Sequence, residues 1–105
     1  MTGKRKYKRF AVSGKAVLET PAGYLAGEIT NLAAGGMLLH SDADLPIGQK
    51  IAIHFTIDGF PHSLAAEVLV VRAEPGFLGV QFVREVPGLL RVLFGLECPA
   101  VASLV

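Results

Sequence analysis

A chain of 105 residues is long enough for one core and too short for two, so a single domain is expected. Its 51% hydrophobic and 18% charged residues exclude a disordered polar chain, because that much apolar surface needs a core to receive it. The formal net charge of +1 conceals a polarised chain: five of the ten Lys and Arg are Lys4, Arg5, Lys6, Lys8 and Arg9, while the other five face all nine Asp and Glu and leave residues 10–105 at −4.

In chain order, the cationic arm of residues 1–9 runs into Phe10, Ala11, Val12, Ser13, Gly14 and Lys15. The charge returns before an apolar stretch can build, so this start does not read as a signal peptide. Residues 10–19 and 24–31 read as strands around the turn-forming cluster Thr20, Pro21, Ala22, Gly23, and residues 36–40 form a short apolar run. The clearest strand alternates Ile51, Ile53, Phe55 and Ile57 with Lys50, Ala52, His54 and Thr56. Asp58 and Gly59 then predict a tight hairpin with positive φ, and the return strand carries Leu64, Ala66, Val68 and Val70 on one parity. Pro75 and Gly76 mark another turn before residues 77–83, where Leu78, Val80 and Phe82 alternate with Phe77, Gly79 and Gln81.

About six strands of this kind predict an all-β chain whose antiparallel sheet closes into a small barrel, which leaves no free edge for intermolecular pairing. The period changes at Leu89, Leu90, Val92, Leu93, Phe94 and Leu96, which fit a short helix with Pro87 in its first turn. So apolar a helix must cover something; a barrel mouth is favoured, with a second copy of the chain as the competing occupant. Residues 86–105 contain Arg91, Glu97 and two prolines, so they do not read as a membrane span. The one cysteine, Cys98, sits between Glu97 and Pro99 as an inert thiol, and the lack of a Cys pair suits a reducing, cytoplasmic setting.

Two segments carry chemistry. Arg5 and Arg9, at i and i+4, lie on one side of an extended segment roughly 13 Å apart and draw closer when it bends. A guanidinium donates paired hydrogen bonds to phosphate, reads O6 and N7 of guanine, and stacks on a purine face, so a guanine nucleotide meets all of its tendencies. Taken alone, such an arm equally fits a solvated tail or a nonspecific nucleic-acid contact. The second segment is Asn31, Leu32, Ala33, Ala34, Gly35, Gly36. Here Asn31 offers an acceptor for the N1 and N2 edge of guanine, and the glycines offer backbone freedom and close approach to a ligand; ordinary β-turn chemistry accounts for the same residues.

In this order the two segments resemble the PilZ domain, whose signatures are Arg-x-x-x-Arg and (Asp/Asn)-x-Ser-x-x-Gly. Arg5 and Arg9 match the first, and Asn31 and Gly36 match the ends of the second. The likeness continues through Met37, Leu38 and Leu39, through Leu45, Pro46, Ile47, Gly48 and Gln49, and through Leu78, Gly79, Val80, Gln81 and Phe82, covering Arg5 to Val83. The resemblance implies a six-stranded antiparallel barrel that binds cyclic di-GMP, needs no cofactor, and passes the signal to motility, surface-polysaccharide or virulence machinery. It divides the chain into a flexible arm at 1–9, a barrel at 10–86, and a helix and apolar tail at 87–105. Carried over by position, the binding residues are Arg5, Arg9, Asn31, Ala33 and Gly36. Ala33 departs from the family pattern by lacking the Ser hydroxyl, a loss of about 0.5 to 1.5 kcal/mol where that hydrogen bond is made.

Other readings are weaker. His40, His54 and His62 are scattered without metal-ligand spacing, Asp42 and Asp44 form a lone Asp-x-Asp, and no nucleophile-elbow or phosphate-loop motif is present, so no enzyme is expected. A PilZ-like interaction module that binds no nucleotide and acts through its apolar helix is the alternative, with an unidentified protein partner or a homodimer at that helix. Single-stranded nucleic acid is disfavoured, since only Tyr7 and Phe10 lie near the arm as stacking groups and the body is acidic.

Overall fold

Alternation along the first strand, β1 (Phe10–Thr20), sets the architecture: Gly14, Ala16, Leu18 and Thr20 turn inward while Lys15, Val17 and Glu19 face solvent. The computed structural model describes residues 8–97; Arg5, Cys98 and the apolar tail lie outside the described residues. The remaining strands are β2 (Gly23–Ala33), β3 (Gly36–His40), β4 (Lys50–Ile57), β5 (Leu64–Glu74) and β6 (Phe77–Phe82), followed by the helix α1 (Leu89–Glu97). All pairings are antiparallel, and the sheet closes into a barrel in the order β1-β2-β3-β6-β5-β4. The expected six-stranded barrel with a short C-terminal helix is therefore the observed one.

The core is the inward parity of every strand. Leu18, Ile29, Leu32, Leu39, Ile53, Phe55, Ile57, Val68, Val70 and Leu78 are its most deeply buried large side chains, and Phe55 stacks on Phe82 at 6.4 Å between ring centres. At roughly 1.5–3 kcal/mol for each large apolar side chain removed from water, this interior is the dominant stabilising term.

Turn chemistry follows the sequence in most places. Pro75 and Gly76 (φ +84°) link Glu74 directly to Phe77, with the glycine supplying the positive φ that a type II turn needs at its third position. The β1–β2 turn is stapled by Thr20, whose Oγ1 donates to the Gly23 carbonyl at 2.8 Å and accepts from the Ala22 amide at 3.2 Å. The Asp58-Gly59 expectation needs correction. Gly59 does take positive φ (+93°) and the Phe60 amide closes a turn on the Ile57 carbonyl, but β5 begins only at Leu64. Asp58 keeps negative φ, so the two-residue hairpin turn cannot form and a longer connection results.

Antiparallel registers gather the start of β1, the end of β2, the start of β3, the end of β6, the start of β5 and the end of β4 at one rim. The helix closes that rim: Val86, Leu89 and Val92 join the core, Leu93 and Leu96 pack partly against it, and Gly88 lies against Leu64. Pro87 precedes the helix instead of opening it, because Gly88 takes positive φ and its carbonyl accepts from the Val92 amide at 3.4 Å. The opposite helix face remains open, with Leu90 70% and Phe94 57% exposed.

Candidate functional site

On the outer wall of the barrel, next to the closed rim, the registers align residues that are distant in sequence. Across four strands one row runs Asn31, Leu38, Gly79, Arg72, and the adjacent row runs Ala33, Gly36, Gln81, Leu69. Two bulges make this alignment. Thr30 is the extra residue of β2 against β3, with its Oγ1 donating to the Leu38 carbonyl at 3.3 Å, so Asn31 lands opposite Leu38. Val71 is the extra residue of β5 against β6 and turns Arg72 outward.

The result is a shallow concavity of about 550 Å³. Its lining includes Arg9, Asn31, Ala33 and Gly36, together with Leu38, Arg72, Gly79, Gln81, Arg84 and Glu85. Four of the five expected site residues therefore meet in one place, and the fifth, Arg5, lies outside the described residues. Arg9 arrives because it directly precedes Phe10, which pairs with Leu32, so the root of the arm is laid beside the end of β2. It is exposed and forms no ion pair among the described residues. Asn31 is half-buried, and its side chain makes no hydrogen bond among the described residues.

The glycines act differently from expectation. Neither Gly35 nor Gly36 takes positive φ, so conformational freedom is not what they supply. Gly36 is required by packing, since a Cβ there would collide with the Val80 carbonyl oxygen of β6. The Gly35 carbonyl accepts from the Phe82 amide at 2.9 Å and ties the β2–β3 turn to β6. The turn is thereby anchored to the neighbouring strand at the edge of the concavity that it lines.

Two arginines that the sequence did not mark complete the wall. Arg72 donates through Nε to Glu74 at 2.7 Å, and Arg84 pairs through Nη2 with Glu67 at 2.9 Å. The hydrogen bond that Arg72 donates to Glu74, reinforced by the carboxylate's charge, raises the pKa of the Arg72 guanidinium above its ordinary value, so it is charged at every accessible pH. Arg9, Arg72 and Arg84 line the concavity with Glu85, and since Arg72 and Arg84 are each paired with a carboxylate, Arg9 is the lining's unpaired cation among the described residues. At the root of the arm, Lys8 lies over the Phe10 ring at 5.2 Å and pairs with Glu97 of α1 at 3.3 Å. Among the described residues, no group of three His, Cys, Asp or Glu is placed to hold a metal ion. His40 packs edge-on against Phe77 at 5.2 Å, while His54 and His62 are exposed and apart.

The described residues thus define a small closed antiparallel barrel domain with an arginine-lined concavity on its outer wall. The PilZ domain model matches residues 3–94, and the chain belongs to that family. No curated protein matches it. Among solved structures it is similar to YcgR from Escherichia coli in complex with c-di-GMP (TM-score 0.76, 18% identity), aligning over 96% of this chain and 49% of that one. It is also similar to the isolated PilZ domain of YcgR with c-di-GMP (TM-score 0.72, 18% identity, 92% of this chain and 94% of that one). A third neighbour is the uncharacterised Legionella protein Lpg0364 (TM-score 0.62, 21% identity, 87% and 95%). At these identities the likeness establishes the fold, and this chain spans about half of the longer YcgR chain. No helix among the described residues is long and apolar enough to cross a membrane.

Proposed function

We propose that this chain is a cyclic di-GMP receptor domain rather than an enzyme, with Arg5, Arg9, Asn31, Ala33 and Gly36 as its ligand-binding positions. The observation that carries the reading is the meeting of Arg9 with Asn31, Ala33 and Gly36 in one concavity of a PilZ-family chain, and two similar solved structures, both of YcgR, contain c-di-GMP. In this reading residues 1–9 are a flexible arm, 10–86 the barrel, and 87–105 the helix and tail. Five like charges repel one another in the free arm, and the ligand's two phosphodiesters offset part of that charge, so binding orders the arm against the barrel. The Lys8–Glu97 pair links the arm's root to α1, and the exposed Leu90 and Phe94 supply a face for a downstream protein or a second copy. The proposed setting is the cytoplasm, with output to motility, surface-polysaccharide or virulence machinery.

A second reading draws on the same exposed helix face and on the missing hydroxyl at Ala33: an interaction module that binds no nucleotide. Calorimetric titration with cyclic di-GMP, with GMP, GTP and a single-stranded oligonucleotide as comparators, separates the two. Selective uptake of the cyclic dinucleotide, abolished in Arg5→Ala and in Arg9→Ala with the fold unchanged, supports the receptor. Silence toward every nucleotide supports the interaction module, and salt-sensitive oligonucleotide binding sinks both.

A further inference from the structure

Resting on the receptor reading, we propose that Arg72 is a further ligand-contacting residue, a guanidinium that meets the purine from the β5–β6 side of the concavity. Arg72 ends the surface row that Asn31 begins, with only Leu38 and Gly79 between them. Three strand spacings separate the two positions, roughly 14 Å across the wall, a span that suits a nucleotide lying on its face. The intervening floor is low because Gly79 has no side chain, and a Cβ there would stand 3.1 Å from the Arg72 Cβ. The Arg72 stem occupies that space instead, with Cδ and Cγ within 4 Å of the same point, so the side chain leans across β6 over the concavity that it lines.

Two features set it apart from an ordinary surface arginine. The Val71 bulge reverses strand parity so that residue 72 faces outward on the same side as Asn31. Glu74, two residues along the same face, takes the Nε proton and restrains the side chain, leaving the two Nη groups for a second partner. A guanidinium held in this way offers a flat face to a purine and an end-on donor pair to O6 and N7. Lysine offers neither.

The test is calorimetric titration of cyclic di-GMP into the full chain as wild type, Arg9→Ala, Arg72→Ala and Arg72→Lys, with thermal unfolding of each as the control for folding. Arg72→Ala is expected to weaken binding by about tenfold or more with an unchanged melting temperature, and Arg72→Lys to recover only a minor part of the loss. Affinity of Arg72→Ala within about twofold of a wild type that binds and that loses binding in Arg9→Ala overturns this assignment and leaves the receptor standing. Full recovery by lysine overturns the planar contact in favour of charge alone. A wild-type chain that takes up no cyclic di-GMP overturns both.

Discussion

Gly36 illustrates how packing alone can require a residue at a proposed recognition position. Its absent Cβ lets β3 approach β6, where the Val80 carbonyl oxygen occupies the space a side chain would take. Gly36→Ala is expected to destabilise the fold by about 1–3 kcal/mol, the usual range for overpacking, because the obstacle is backbone and cannot swing aside. Thermal unfolding reads this directly; an unchanged midpoint would mean that the strands stand further apart than the geometry requires. Loss of ligand binding in this variant is therefore not proof of ligand contact. Ala33 gives the cleaner probe, since it lines the concavity from the same row without such a collision. Ala33→Ser restores the hydroxyl of the family pattern and is expected to tighten cyclic di-GMP binding by roughly 0.5 to 1.5 kcal/mol, which titration against wild type measures. Equal or weaker affinity removes position 33 from the binding surface.

Helix α1 separates two apolar faces that the sequence left merged. Alternation marked β4 and its return strand β5, while β1 and β2 were legible from the turn residues between them and β3 from a short apolar run. The helix was legible from its change of period, yet nothing in the run from Leu89 to Leu96 distinguished Leu89 and Val92, which join the core, from Leu90 and Phe94, which do not. The same limit hid Arg72. Continuing the parity Leu64, Ala66, Val68, Val70 places residue 72 inside the barrel, and only the Val71 bulge, which leaves no mark in the residue types, turns it out. Arg9, Asn31, Ala33 and Gly36 were legible because they belong to short contiguous signatures. Faces of α1 make a prediction in turn. Val92→Asp places an unpaired charge in the core and is expected to cost several kcal/mol or unfold the chain, whereas Phe94→Ser is expected to stay within about 0.5 kcal/mol of wild type. Chemical denaturation checks both; a large loss in Phe94→Ser would mean that this face is covered in the free protein.

Charge is distributed over the whole molecule so that recognition and stability draw on different parts. Every residue of the described core lies between Ala16 and Val92, whereas the arm holds five of the ten basic groups. Stability is therefore expected to be insensitive to the arm, whose described ties to the body are Lys8 over the Phe10 ring and the Lys8–Glu97 pair, an exposed pair of the kind worth about 0–1 kcal/mol. That pair also sets a cation beside a carboxylate at the helix C-terminus, the end where the helix dipole disfavours negative charge. The proposed capture of ligand by the arm is different, because it would rest on the charge of the basic run. The screening length falls from about 10 Å at 0.1 M salt to about 3 Å at 1 M, shorter than the span of the basic run, so distant arm charges stop contributing while direct contacts persist. Cyclic di-GMP affinity is accordingly expected to fall progressively between low and high salt in the wild type, and to fall much less in a chain whose Lys4, Lys6 and Lys8 are replaced by Gln. Thermal midpoints of both chains should stay together at each salt concentration. A wild-type affinity independent of salt would remove the arm's collective charge from recognition and leave the fixed wall of Asn31, Arg72 and Arg84 to account for binding.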